Sequence, residues 1–202
     1  MPNRQQASLW PLRRNIGVLT VAQALFQSVQ GMAIATTPLA ALMMLGVDQG
    51  LVSQPAFRWL GLTSDAQLAT LPIFLAHLGL MTTTLPASLL MARVGRRGGF
   101  TVGGLAGVIS GLISLLGIIK QDFALICLGA YFQGVAAAFA WYFRFAAADA
   151  ASAAYKAKAI SLVMAGGVLA GIVGPQTAKW SVDWLAPLTF AGVYVMVAVF
   201  SG

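Results

Sequence analysis

Residues 100–119, FTVGGLAGVISGLISLLGII, are followed by Lys120, Gln121 and Asp122 and then by residues 123–143, FALICLGAYFQGVAAAFAWYF. Neither run carries a charged side chain, and each has about the 20 residues that an α-helix needs to cross a bilayer. Four further apolar runs, 15–45, 68–90, 159–178 and 184–202, flank this pair. Hydrocarbon offers no water to backbone N–H and C=O groups, so a spanning segment must be a helix or part of a closed barrel. Continuous runs rich in Ala, Leu and Gly lack the alternation of barrel strands. The expectation is an all-α membrane protein: a cytoplasmic N-terminal segment, 1–14, and a transmembrane domain of six helices, 15–202.

Composition and charge agree with that reading. The chain is 59% hydrophobic and 8% charged, against about 25% charged residues in ordinary soluble domains, and its mean hydropathy is +0.84. The formal net charge of +7 would suggest nucleic acid in a soluble chain, but its placement follows topology instead. With the N-terminus inside, Arg4, Arg13, Arg14, Arg93, Arg96, Arg97, Arg144, Lys156 and Lys158 fall on the cytoplasmic side, and only Arg58, Lys120 and Lys179 fall outside. Asp48, Asp65, Asp122 and Asp183 share that outer side. This asymmetry is what positive-inside insertion produces, so the lipid bilayer is the expected partner and nucleic acid is not. The N-terminal apolar run is too long for a signal peptide and carries Gln23, Gln27 and Gln30. The single cysteine, Cys127, permits no intrachain disulfide.

The longest connection, 46–67, contains Pro55, Phe57, Trp59, Leu60 and Leu62 and is read either as lying along the membrane interface or as a partner-docking element. Ser64 and Gln67 have capping-box spacing, and Asp122 and Asp183 are placed to cap the helices that follow them. The last run ends at Gly202 without a basic flank, so the chain is expected to be truncated.

An internal repeat organises the helices. Residues 24–29, ALFQSV, and residues 130–135, AYFQGV, share A-x-F-Q-[S/G]-V at a separation of 106 residues. Three helices followed by three of opposite orientation make the inverted repeat found in half of a major facilitator transporter. The turn after the second helix, residues 88–97, SLLMARVGRR, resembles that superfamily's G-x-x-x-D-R-x-G-R-R signature. Residues 142–149, YFRFAAAD, look like the end of the fourth helix in a bacterial subgroup, and Gly174-Pro175 is similar to the core of the antiporter motif. The resemblance covers the chain as the N-terminal six-helix half of a twelve-helix protein in a bacterial inner membrane. It implies Arg93, Gly95, Arg96, Arg97, Arg144 and Asp149 as the conformational switch, with Arg93 or Arg144 pairing with Asp149. It also implies a C-terminal half or partner membrane protein as companion. Ala92 and Ser88 replace the signature's Asp and first Gly, Ala178-Lys179 replaces a usual pair of glycines, and Ala130 stands where Arg is common. Export by proton antiport is therefore not carried over.

The residues themselves mark a solute path. At 100° per residue, Gln23, Gln27, Gln30 and Thr37 fall on one face of the first helix, and polar groups in lipid turn toward protein or a water-filled cavity. With Tyr131 and Gln133 from the equivalent fourth helix, they are the expected substrate-binding set. Gln27 and Gln133 are expected to face one central space. His77 is the only histidine; it is read either as a coupling candidate or as a neutral imidazole bonded to a neighbour. Gly103, Gly107 and Gly111 are read as helix packing. The methionines lack a common ligand spacing and are read as core, with Cu(I) binding beside Cys127 and His77 as the other reading. No catalytic triad, phosphate loop or paired carboxylate is present, so no enzyme, cofactor or metal site is expected. The chain reads as a secondary active transporter of a small solute by alternating access. The other reading is a non-transporting membrane subunit or assembly factor docked to a larger complex.

Overall fold

The computed structural model describes residues 4–47, 64–152 and 155–202, with backbone only for 4–13, 46, 47 and 65. Most of the 46–67 connection, including Arg58 and Trp59, lies outside the described residues. Seven helices are described: α1 (Arg4–Val47), α2 (Asp65–Leu68), α3 (Leu71–Lys120), α4 (Phe123–Ala140), α5 (Phe143–Ala150), α6 (Lys156–Ser181) and α7 (Ala191–Ser201). No strand occurs among the described residues. Four segments, Arg14–Leu45, Ala66–Lys120, Phe123–Ala150 and Lys156–Ser181, are long and apolar enough to cross a membrane. The 1–14 segment is not separate in backbone conformation, because α1 is helical from Arg4 onward.

α3 would run about 75 Å if it were straight, more than twice the hydrocarbon thickness. It is broken at Gly95, whose φ of 83° and ψ of 167° are non-helical, a region open to glycine alone. The two arms, 71–94 and 96–120, fold against α4 in opposite senses. In the first arm, Leu68 and Ala69 just before it pack with Phe123 and Cys127, and Ala87 and Met91 pack with Ala138 and Phe139. That arm therefore runs parallel to α4. In the second arm Gly103 lies against Phe139 and Gly117 against Ile126, which makes it antiparallel. The 50-residue helix is thus a hairpin in packing terms.

Helix ends follow local chemistry. Gln121 leaves α3 in the left-handed region, and the Asp122 carboxylate accepts from the N–H groups of Ala124 at 2.8 Å and Leu125 at 3.4 Å. Asp122 therefore caps α4 as its position predicts, a contact worth about 1 kcal/mol. Ser64 accepts from the Gln67 N–H at 3.4 Å and caps the short α2. Asp183 does not cap a helix. Residues 182–190 form turns, the Phe190 N–H closes them onto Val182 O at 2.9 Å, and α7 begins only at Ala191. Pro187 has no N–H to give a helix interior and Phe190 sits at φ 71°, so the apolar run 184–202 is helical over its last part alone.

Close approach of backbones sets the pairs. α1 and α6 run parallel, Gly166 lying on Thr20 and Gly174 on Ser28. α4 and the first arm of α3, parallel by the packing of Leu68 with Phe123 and of Met91 with Phe139, cross closely at Gly79 on Tyr131 and Gly134 on Ala76. α7 runs down the second arm, with Ala198 on Gly111 and Ser201 on Gly107. These contacts bury Val29, Met32, Ile126, Val193 and Val197 in one core. The outer faces keep large apolar side chains exposed, Val168 at 77% and Leu85 at 76% among them, an arrangement suited to lipid and not to water.

Candidate functional site

A polar spine crosses three helices in the middle of the bundle. Ser110, on the second arm of α3, places its hydroxyl 2.7 Å from Gly129 O and 3.2 Å from Gln133 Oε1 on α4. The Gln133 amide then donates to Gln30 Oε1 on α1 at 3.5 Å. Gln133 is only 5% exposed, and Gly134 beside it lets α4 lie against the first arm closely enough to bury that amide. In a low-dielectric interior an unpaired amide would cost roughly 1–3 kcal/mol, and the bonds of the spine offset that cost for Gln133.

Beside the spine lies a cavity of about 110 Å³ lined by Gln30 and Thr37 of α1, His77 on the first arm, Ser110 and Ser114 on the second, Gln133 of α4 and Tyr194 of α7. Ala33, Ile34, Pro72, Ile73, Ala76, Ala130 and Val197 complete its wall. Tyr194 donates to the Thr37 hydroxyl at 3.3 Å, which spends the Tyr194 proton and leaves Thr37 its own. His77 Nδ1 lies 2.8 Å from Ile73 O. A carbonyl only accepts, so Nδ1 carries the proton, and in the neutral ring Nε2 is left as an acceptor. The bonding partner is thus a carbonyl of its own helix, not a neighbouring Gln or Thr. A larger groove of about 450 Å³ reaches Gln133 from the side of Val18, Phe26, Phe100 and Phe200. Its walls are mostly apolar, and it lacks the converging polar groups that give the smaller cavity chemical direction.

The structure divides the expected binding set. Gln30 and Gln133 come together. Gln23 and Gln27 lie instead along Gly167 of α6, which leaves Gln27 outside the cavity wall while Gln133 lines it. Tyr131 is also outside the wall and hydrogen-bonds Thr82 at 3.1 Å. Ser110, Ser114 and Tyr194 belong to the site without having been singled out in the sequence. Their signal is faint, because single hydroxyls in a glycine-rich helix resemble packing residues.

At the end of the bundle that carries the basic turn, Arg96 forms an ion pair with Asp149. This corrects the expectation of a pair from Arg93 or Arg144. Gly95 redirects the chain so that Arg96, the first residue of the second arm, meets α5. The Arg144 guanidinium lies over the rings of Trp141 at 5.8 Å and Phe145 at 5.0 Å. Arg93 and Arg97 are exposed. The Arg96–Asp149 pair is itself open to solvent, with side chains 38% and 58% exposed, and such pairs contribute no more than about 1 kcal/mol.

Buried polar groups converging between long apolar helices define a multi-pass α-helical membrane protein with an internal polar site. Among curated proteins the chain is similar to the riboflavin transporter RfnT of Brucella anthropi, with 42% identity over 187 residues, covering 93% of this chain and 42% of the relative. The chain thus spans less than half the length of that relative. The relative is a transporter and not an enzyme, in agreement with the absence of a catalytic set expected from the residues. No protein-family profile matches the chain, and no solved structure matches it.

Proposed function

We propose that this chain forms the first part of a secondary transporter that moves a flavin across the membrane by alternating access. The observation that carries this is the 42% identity to a riboflavin transporter, sustained over 93% of the chain. A polar cavity where α1, α3 and α4 meet is the kind of place such a protein uses, because repeat interfaces near the midplane hold the substrate.

The proposed architecture is six crossings in two inverted repeats of the major facilitator type. Counting the arms of α3 separately, the crossings are α1, 71–94, 96–120, α4 with α5, α6 and α7. Two features support the repeat. The A-x-F-Q-[S/G]-V segment recurs in α1 and α4. Each of those helices also pairs in parallel with the second helix of the opposite repeat, α1 with α6 and α4 with the first arm. Substrate would enter against Gln30, His77 and Gln133, and the Arg96–Asp149 pair would make and break as the cytoplasmic end opens and closes.

Uptake of labelled riboflavin by cells lacking their own riboflavin importer tests the reading, using the protein expressed from its whole gene. Saturable uptake is expected, with Gln133→Ala lowering it about tenfold at unchanged membrane abundance, the loss from one hydrogen-bonded amide. Flavin uptake no higher than in control cells, with the protein present in the membrane, would refute it. The proposed orientation has the N-terminus and the 91–99 turn in the cytoplasm of the inner membrane. A cysteine at Gly98 is then expected to react with a membrane-impermeant thiol reagent only after the cells are opened, and labelling of intact cells would reverse the topology.

A further inference from the structure

Several of the cavity's hydrogen-bonding groups have protein partners; among the described residues the His77 Nε2 acceptor and the Ser114 hydroxyl stay open, and Gln30 adds a donor and an acceptor on one planar amide. Thr37 and Tyr194 bond each other, Ser110 is taken up by Gly129 O and Gln133, and His77 Nδ1 is taken up by its own helix. Gln133 Oε1 shares the single Ser110 proton with Gly129 O, and Gln133 gives one of its two amide N–H groups to Gln30. Gln30 is different. Its Oε1 accepts from Gln133 and retains a second lone pair, while its Nε2 has no partner among the described residues. The bond from Gln133 holds that amide at its Oε1 end, and Gln30 lines the cavity. Gln30 thus presents a donor beside an acceptor on one planar group, with the His77 Nε2 acceptor and the Ser114 hydroxyl elsewhere in the same wall.

No charged side chain lines this cavity. The group it takes is therefore neutral, because an ion moved into it would lose its hydration without a counter-charge. About 110 Å³ admits the edge of one ring and not a tricyclic system. A rigid donor and acceptor side by side are matched by a ring carbonyl adjacent to an N–H, which is the imide edge of an isoalloxazine. A flexible polyol chain makes no use of that fixed pairing.

Resting on the flavin reading above, we propose that Gln30 is the specificity residue of this site, its amide pairing with the flavin's imide edge. Nε2 donates to a ring carbonyl, and Oε1 accepts from the neighbouring ring N–H. Gln133 holds Gln30 in this orientation, and Ser110 holds Gln133.

Methylating the imide nitrogen (N3) of riboflavin removes the donor and adds bulk at the edge without altering the ribityl chain. Lumiflavin does the reverse, keeping the imide and lacking the chain. The protein expressed from its whole gene is assayed for uptake of all three compounds per amount of membrane protein. Wild type is expected to favour riboflavin over N3-methylriboflavin about tenfold or more in kcat/KM, the value of one to two neutral hydrogen bonds. Gln30→Leu is expected to bring that ratio close to 1 while leaving the riboflavin-to-lumiflavin ratio as in wild type. Equal wild-type uptake of riboflavin and its N3-methyl form would overturn the assignment while leaving flavin transport intact. So would a Gln30→Leu protein that keeps the wild-type ratio, or one in which the lumiflavin ratio collapses instead. The wild-type comparison stands even if the variant fails to accumulate. Absence of any flavin uptake by wild type would instead refute the transport reading itself, and the pairing with it.

Discussion

Gly134→Leu is expected to destabilise the folded protein strongly. A side chain at this position meets Ala76 O and, at 2.8 Å, Leu80 N, both backbone atoms of a neighbouring helix. A flexible side chain would move aside, but two helical backbones must part, and overpacking of this kind costs roughly 3 kcal/mol or more. That loss corresponds to a fall in Tm of about 10 °C for a chain of this size. Gly171→Leu is the matched control, because nothing lies within 4 Å of the added atom on α6. Cys127 is the sole cysteine and is buried, so a thiol-reactive dye reports unfolding in detergent directly. A Gly134→Leu protein melting within 2–3 °C, on the order of 1 kcal/mol, of Gly171→Leu would show that the α4 contact is looser than the geometry states. Gly174→Leu, which meets Ser28 O at 2.6 Å, is expected to do the same to the α1–α6 pair.

How far the chain could be read before folding differs by element, and each difference has a physical source. Long apolar runs are unambiguous, since hydrocarbon leaves few options for a backbone: helix covers 100–119, and the 123–143 run is helical to Ala140 before the turn at Trp141 and Tyr142. The start of α7 is less legible from hydropathy because Pro187 is apolar yet unsuited to a helix interior, and nothing in the residue type marks the φ of 71° at Phe190. Helical periodicity placed Gln23, Gln27, Gln30 and Thr37 on one face of α1. It carries no information about which neighbour stands opposite at each level. Gly167 of α6 receives Gln23 and Gln27, while Gln133 of α4 receives Gln30. The partners completing the site, Ser110 and Tyr194, come from the third and sixth runs, where single hydroxyls among apolar residues give no pattern. The ion pair meets the same limit. Sequence order shows that several arginines are near Asp149, but only the backbone direction after Gly95 selects Arg96.

Gly95→Ala is expected to destabilise the chain more than deleting the ion pair beside it. Nothing lies within 4 Å of a Cβ added at Gly95, so crowding is not the cause. Its φ of 83° with ψ of 167° is a conformation in which an L side chain collides with its own backbone, at a cost of about 1–3 kcal/mol. The break cannot relax into helix, because continuous helix would carry the second arm away from α4 and strip Gly103 and Gly117 of their contacts with Phe139 and Ile126. Strain is therefore retained or the hairpin opens, and either outcome lowers Tm, by about 5 °C for 2 kcal/mol. Arg96→Ala removes only a solvent-exposed charge pair, worth at most about 1 kcal/mol, and is expected to shift Tm by less than half as much. The two effects separate in salt, since about 0.5 M salt screens the pair but leaves backbone strain untouched. Equal melting of Gly95→Ala and wild type would mean that the turn between the arms is not set by this glycine. A larger loss from Arg96→Ala would make the Asp149 contact, and not the backbone, the element that holds the arms in place.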